Sequence, residues 1–363
     1  MFFNFFLRSF RILLFPFSLL YAAGSRIRNF LFDKKILMHE ISFNLPIICV
    51  GNLAVGGTGK SPMVELLIVS LKQNYKIATL SRGYKRKTKG YVLADERSTA
   101  LEIGDEPMQF HLKFPDVPVA VGEERVSAIP QLLFDKPDTQ VIILDDAFQH
   151  RYIKAGLNIL LTDYNNLFYR DFMLPTGDLR DNRSSYKRAD IIVVTKCKPD
   201  LTEEEAKQIT EEIAPLPHQK IFFSFIRYGT PYHIVNRMEY VLHPEAEVLL
   251  VTGIANPEPL KKYILKNTSS FEQMLFSDHY IFNIDDLREI KKRYEEMDHQ
   301  PKIIITTEKD AVRLMKFKEE LNDLPLYVLP VQHEFLFGHA DDFHSTITTF
   351  ITQFKKNKDG QEE

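Results

Sequence analysis

Cysteine is almost absent from this chain: two residues, Cys49 and Cys197, occur in 363. Each lies in an apolar, strand-like run, which reads as the core of a reduced protein rather than as a disulfide. No Cys/His spacing suggests structural zinc. An excess of either charge is lacking too. The net charge is −3, so composition offers no electrostatic footprint for nucleic acid. A long apolar span is also missing at the N-terminus. The longest uncharged run there, Ile12 to Ser25, contains Pro16 and falls short of the roughly 20 residues of a crossing helix. No repeat of solenoid type is present. What remains is a globular composition, 44% hydrophobic and 26% charged, on a chain long enough for two domains.

One stretch organises the rest. Pro46 to Leu67 read PIICVGNLAVGGTGKSPMVELL. Ile47 to Val50 predict a buried strand, which Gly51 and Asn52 end, and an apolar helical pattern runs from Met63. Between them, Gly56, Gly57 and Gly59 let backbone N–H groups approach phosphate oxygens with no Cβ in the way. A helix starting near Lys60 adds its positive end to the same place. Lys60 can reach the β- and γ-phosphates, and the Ser61 hydroxyl can ligate Mg²⁺. Pro62 suits a first helical turn, where no N–H is needed. In the spacing G-x-x-x-x-G-K-[ST], Ala54 replaces the first glycine. The expected cradle is therefore Ala54, Val55, Gly56, Gly57, Thr58, Gly59, Lys60 and Ser61, a nucleoside-triphosphate site.

The first 35 residues differ from the remainder, with six basic residues against one acidic. At about 100° per residue, Asn4, Arg8, Arg11, Ser18 and Ser25 fall on one stripe, with phenylalanines and leucines over most of the other surface. The pattern predicts a helix lying in a membrane interface, its arginines meeting anionic headgroups. A tilted or re-entrant insertion, or a helix packed on the body of the protein, stays open. A signal peptide fits less well, because no early positive cluster opens the segment and a phosphate loop requires cytosolic ATP.

Beyond the loop, strands and helices alternate. Lys76–Gly90 is a strand ending in a basic loop, and Val117–Gly122 a short strand before a helix from Glu123. Val141–His150, Leu157–Tyr164 and Ala189–Cys197 are further apolar strands. Such runs predict a parallel sheet covered on both faces, a P-loop NTPase-like α/β fold, with strand-end loops gathered at the phosphate site. Thr202 to Glu205 form a capping box, and Ala214–Pro217 break the chain. Lys220–Val235 have strand character on both sides of Gly-Thr-Pro and predict a hairpin-like connection. A second α/β set follows: Glu247–Ile254, a helix after Pro257, Lys302–Asp310 and Leu324–Val331. The expected division is an interface helix over 1–35, a phosphate-loop domain over 36–219, a connection over 220–241, a smaller α/β domain over 242–354 and a disordered tail over 355–363.

Acidic residues sit where the chemistry needs them. Asp145 and Asp146 close an apolar strand 85 residues after Lys60, as a Mg²⁺-binding acid of a phosphate-loop enzyme does. Gly104-Asp105-Glu106-Pro107 offers two more carboxylates, and phosphorylation of a hydroxyl benefits from one that accepts its proton. The same motif also starts helices. Arg82, in Ser81–Lys85, can meet phosphate or simply face solvent, and His279 is a lone histidine by position. Thr306–Asp310 has the form of a helix cap.

Taken together, GNLAVGGTGKSP, SRGYK, GDEP, LDDAFQH, LPTGDLRD, VTGIANP, FSDHY and TTEKDAVR, in order from Gly51 to Arg313, resemble the tetraacyldisaccharide 4′-kinases, the lipid A kinases of Gram-negative bacteria. The resemblance spans nearly the whole chain. It implies an enzyme peripheral or monotopic on the cytoplasmic face of the inner membrane, using ATP and Mg²⁺ to phosphorylate the 4′-hydroxyl of a tetraacyldisaccharide 1-phosphate. It implies an N-terminal phosphate-loop domain and a smaller C-terminal one joined by a two-stranded linker; no nucleic acid is expected from the net charge, and no protein partner is implied. Carried over by motif, Asp105 is the base, His279 pairs with it, and Lys60 and Ser61 hold phosphate and metal. Asp145 and Asp146 flank the metal, and Glu106, Arg82 and Arg125 are further members of the site. Three positions depart from the family pattern: Ala147 and Ser61 replace the commoner glycine and threonine, and Asp181 stands where glutamate is usual. A membrane-attached partition-type switch ATPase is the competing reading, but Val55 occupies the place of its extra lysine, and its amphipathic helix is commonly C-terminal.

Overall fold

Near-continuous apolar runs bounded by turn residues become strands buried on both faces. The computed structural model describes residues 11–36 and 39–359; Asn4 and Arg8 of the polar stripe lie outside the described residues. The first domain contains β1 (Ile47–Asn52), β2 (Ile77–Ser81), β3 (Val92–Leu93), β4 (Val119–Val121), β5 (Val141–Asp145), β6 (Leu157–Asp163), β7 (Ile191–Thr195) and β8 (Lys220–Tyr228). The second contains β9 (Tyr232–His233), β10 (Glu247–Thr252), β11 (Ser270–Leu275), β12 (Lys302–Thr307) and β13 (Leu326–Leu329), after which β14 (Val331–Phe335) returns to the first sheet. The sheet orders are β14-β8-β7-β6-β1-β5-β2-β4-β3 and β11-β10-β12-β13-β9. In the larger sheet only the edge strands β14 and β3 are antiparallel to their neighbours.

Helices cover both faces of the larger sheet. The helices of this part of the chain are α1 (Phe15–Asp33), α2 (Lys60–Leu71), α3 (Ala100–Ile103), α4 (Asp105–Lys113), α5 (Arg125–Asp135) and α6 (Glu203–Ile213). In the second domain lie α7 (Glu258–Asn267), α8 (Ile284–Glu295), α9 (Glu308–Leu314) and α10 (Lys318–Leu321), followed by α11 (Ala340–Asp359). One core joins Ala128, Ile129 and Leu132 of α5 with Ala206, Ile209 and Ile213 of α6. The other joins Met63, Val64 and Leu67 of α2 with Phe343, Ile347 and Ile351 of α11. The capping box forms, the Glu205 N–H donating to the Thr202 hydroxyl at 3.2 Å.

The connection between domains differs from the expected hairpin. β8 and β9 do not pair; β8 is flanked by β7 and β14, and β9 pairs with β13. With both edges of β8 filled, and Pro231 unable to donate into a ladder, the chain leaves for the other sheet. The two strands at the crossing are therefore β8 and β14, from segments a hundred residues apart in sequence, and not 220–241. Residues 331–359 also belong with the first domain: Phe343 meets the Phe222 ring edge-on at 5.4 Å. The tail expected to be disordered from 355 is helical to Asp359, and 360–363 lie outside the described residues.

Helix α1 reverses the orientation expected for its polar stripe. Arg11 Nη2 donates to Asp178 Oδ1 at 2.9 Å and its Nε to the Pro175 carbonyl at 2.9 Å. The Ser18 hydroxyl donates to the Met173 carbonyl at 3.0 Å, and Ser25 donates to Asp181 Oδ1, also at 3.0 Å. Arg11, Ser18 and Ser25 thus face the protein and not lipid headgroups, because the 171–182 loop offers the acceptors that half-buried polar groups require. The outward surface is apolar: Leu13 is 71%, Phe17 60%, Leu20 72% and Ile27 62% exposed. Among the described residues no helix is long and apolar enough to cross a membrane.

Candidate active site

The glycine loop runs from β1 into α2. Gly59, the residue before the helix, has φ +86°, a left-handed conformation that a side chain disfavours. A Cβ at Gly56 or Gly57 would meet nothing within 4 Å, so the mouth of the loop is open. The first amides of α2 have no partner within the helix and are left for an anion. Not all of the expected cradle is free for that purpose. The Val55 N–H donates to the Asp178 carbonyl at 2.7 Å and Ala54 bridges Leu179, so these two residues anchor the loop to the 171–182 segment. Lys60 Nζ lies 3.3 Å from Asn52 Oδ1 and 3.8 Å from Asp146 Oδ1. Burial lowers its pKa, with the Asp146 charge opposing.

The paired carboxylates differ from one another. Asp145 ends β5 opposite Val50 of β1 and is buried. Its Oδ1 has no partner, and burial, followed by the neighbouring Asp146 charge, pushes its pKa up to about 7. Asp146 has φ +49°, and Arg180 grips both its oxygens, with Nη1 3.1 Å from Oδ2. Arg180 Nη2 also donates to Asn52 Oδ1 at 2.6 Å. Burial would raise the Asp146 pKa, but Lys60 and Arg180 hold it below the usual carboxylate range. A partnerless buried carboxylate is the side chain that fits a divalent cation here, so Asp145 suits Mg²⁺ better than Asp146. Among the described residues no three His, Cys, Asp or Glu side chains cluster as a metal cage. The donor set instead resembles that of Mg²⁺ sites built from one or two protein ligands, phosphate and water.

Asp105 opens α4, immediately after Gly104 at φ +95°. A Cβ on Gly104 would lie 3.1 Å from Gly83 Cα, so the 81–85 and 104–107 loops touch through two glycines. The second domain reaches Asp105 directly. His279 Nδ1 lies 2.9 Å from Asp105 Oδ2, and Arg313 donates to the same oxygen from Nη2 at 2.7 Å and Nε at 3.1 Å. Burial favours the neutral acid, but the Arg313 hydrogen bonds and charge, then His279, hold the Asp105 pKa below its ordinary value. His279 has φ +61°, a conformation costly for a non-glycine residue and frequent at functional sites. Next door, Lys309 Nζ donates to Glu106 Oε1 at 3.0 Å.

Arg82 and Arg125 form a separate positive group. Arg125 is buried, its pKa lowered first by burial and then by Arg82. Burial and both arginines push His150 down to about 4. Arg125 Nη1 donates to the Glu123 carbonyl at 2.9 Å. The structure thus brings Asp105 and His279 together, and Lys60 with Asp146. It adds Asn52, Arg180, Lys309 and Arg313, which the sequence reading did not single out. Arg180 lies in LPTGDLRD, and Lys309 and Arg313 in TTEKDAVR, so the motifs themselves held that signal.

The strand, open glycine loop and buried acid on the adjacent strand place the chain among P-loop proteins that act on nucleoside triphosphates. A model of the family described as tetraacyldisaccharide-1-P 4′-kinase matches residues 10–352, and the chain belongs to that family. It is 48% identical over 346 residues to a tetraacyldisaccharide 4′-kinase of Flavobacterium johnsoniae, covering 94% of this chain and 98% of the relative. A tetraacyldisaccharide 4′-kinase of Bacteroides thetaiotaomicron is 43% identical over 359 residues, covering 95% and 94%. Among solved structures, LpxK from Aquifex aeolicus in complex with ATP superposes with a TM-score of 0.73 at 28% identity, covering 94% of this chain and 99% of that one.

Proposed function

We infer that this protein is a kinase that transfers the γ-phosphoryl group of ATP to the 4′-hydroxyl of a tetraacyldisaccharide 1-phosphate, releasing ADP and a 4′-phosphorylated lipid A precursor. The observation that carries the reading is Asp105: a carboxylate kept ionised by Arg313 and His279 of the second domain, 2.7 and 2.9 Å away. A switch ATPase has no use for such a group, whereas a hydroxyl acceptor needs a base. Asp105 takes the 4′-hydroxyl proton as the oxygen attacks γ-phosphorus, and His279 orients the carboxylate. Lys60 exchanges its contacts with Asn52 and Asp146 for phosphate oxygens, and the N-terminus of α2 faces the same charge. Mg²⁺, when bound, would neutralise charge on the phosphates, with Ser61 and Asp145 as its protein ligands and Asp146 beside it. Glu106, set by Lys309, lies beside the base, and Arg82 and Arg125 supply positive charge for the anionic substrate.

The lipid substrate requires a membrane-facing enzyme. Burying acyl chains is worth about 0.8 kcal/mol per CH₂, so a four-chain lipid stays in the bilayer. The outward apolar face of α1 gives the protein a surface to rest there. We place it on the cytoplasmic face of the inner membrane, where ATP is present, held peripherally or monotopically. The test is transfer of label from γ-labelled ATP to detergent-solubilised tetraacyldisaccharide 1-phosphate, with Asp105→Ala in parallel. Lipid phosphorylation that collapses in the variant while ATP still binds is the expected result. ATP hydrolysis stimulated by bare membranes, without lipid phosphorylation, would overturn the reading.

A further inference from the structure

His333 lies at the middle of β14, opposite Ile226 of β8. Its ring is buried, yet both nitrogens are engaged: Nε2 lies 2.8 Å from the Gly59 carbonyl oxygen and Nδ1 3.0 Å from the Ser224 hydroxyl. Burial pushes the imidazole down to about 4, so the ring is neutral at physiological pH. A carbonyl can only accept, so Nε2 carries the proton and Nδ1 accepts from Ser224. A histidine that merely fills a core has no need of the phosphate loop. This one bonds the glycine directly ahead of Lys60.

The geometry of that glycine makes the bond consequential. A trans peptide is planar, with its C=O and N–H pointing in opposite directions. Fixing the Gly59 oxygen on β14 therefore turns the Lys60 N–H away from β14 and into the glycine loop. The Gly59 carbonyl also accepts from the Met63 N–H at 3.2 Å, so the start of α2 is locked to the same atom. A Cβ at Gly59 would stand 3.0 Å from both Cε1 and Nε2 of His333, so glycine and histidine are matched in shape as well as in hydrogen bonding.

We propose that His333 is a positioning residue for the phosphate loop, fixing the Gly59–Lys60 peptide so that the Lys60 amide faces the ATP phosphates. It also ties that orientation to β8 and β14, the strands at the crossing to the second domain. The proposal rests on the loop being the ATP triphosphate site.

The test compares His333→Phe, which keeps a ring but no donor, with His333→Gln, whose amide nitrogen can reach the Gly59 carbonyl. Equilibrium binding of a fluorescent ATP analogue is measured, then KM for ATP, KM for the lipid, and kcat. His333→Phe is expected to weaken nucleotide binding about ten-fold, with lipid KM changed less than about two-fold, and His333→Gln to stay within about three-fold of the wild type. Ser224→Ala, which takes away the donor to Nδ1 that holds the ring in place beside the Gly59 carbonyl, is expected to weaken nucleotide binding by about three-fold, and this variant decides the matter if His333→Phe does not fold. Wild-type nucleotide binding in His333→Phe, or equal losses in the Phe and Gln variants, would overturn the proposal, as would unchanged binding in Ser224→Ala. A wild type that binds no ATP would instead overturn the assignment of the loop, and the proposal with it.

Discussion

Asp145 is the residue at which stability and activity should move in opposite directions. Its pKa rises from 3.8 to about 7 on folding, through burial and then the Asp146 charge. Below pH 3.8 the carboxyl is protonated in both folded and unfolded chains and makes no pH-dependent contribution. Between there and pH 7 the folded chain holds the proton more tightly, so stability falls as pH rises. Above pH 7 the full penalty applies. A shift of that size corresponds to roughly 4 kcal/mol at 1.36 kcal/mol per pH unit. Asp145→Asn removes the charge while keeping the volume, and should raise the stability of the nucleotide-free protein at pH 8 by about 2–4 kcal/mol, or roughly 3–5 °C in Tm. At pH 4 the two proteins should unfold together.

Mg²⁺ and ATP should reverse the order. The cation stabilises an ionised Asp145, so the wild type gains Tm on adding Mg·ATP and the asparagine variant gains much less, while its phosphoryl transfer is lost. Differential scanning at pH 4 and pH 8, with and without Mg·ATP, reads all four cases. A variant that is no more stable than the wild type at pH 8, or that responds to Mg·ATP as the wild type does, would refute the assignment of Asp145 as an uncompensated metal ligand.

Arg313→Gln removes the foremost group holding Asp105 ionised while leaving it half-buried, so the Asp105 pKa should climb and the acid limb of the kcat/KM profile should move to higher pH. An acid limb that does not move would separate Asp105 from the proton transfer. Asp181→Ala strips the partner of Arg188, 3.0 Å away, and of Ser25 and Asn29 on α1. It should cost about 3–5 kcal/mol and expose α1 to limited proteolysis; unchanged protease resistance would show that α1 is held by other contacts. Lys113 joins Glu65 at 2.6 Å to Glu308 of the second domain at 2.5 Å. Lys113→Ala leaves two buried carboxylates repelling one another. The loss, about 3–5 kcal/mol, should be larger at pH 8 than at pH 5, because burial and Glu308 raise the Glu65 pKa and Lys113 opposes that rise, so without Lys113 the repulsion is relieved by protonation as pH falls. An equal loss at both pH values would argue against that charge.

The parts of this protein legible in the sequence are those whose signal is local. β1, the glycine loop and the start of α2 lie within 22 consecutive residues, and Asp145 declares itself by ending an apolar strand. What no local signal disclosed is which residues meet when they lie far apart along the chain. Arg180 meets Asn52 across 128 residues, Arg313 meets Asp105 across 208, and His333 meets Gly59 across 274. Periodicity in one sequence carries no information about such pairings. For α1, periodicity gave an amphipathic helix but not the side each face would turn to; the acceptors on the 171–182 loop decided that.

The break within Leu324–Val331 is a case in which a local signal was present but its consequence was not. Pro330 lacks the N–H that a continuous strand needs, and the chain there leaves β13 of one sheet for β14 of the other. That single change of sheet carries His333 to the phosphate loop and α11 onto the core of the first domain. It also fixes the connectivity of the molecule: the first domain is completed only after the second has been made. Contacts of such long sequence separation form late in folding, so the phosphate loop should acquire its final geometry only once the second domain has returned β14 to it.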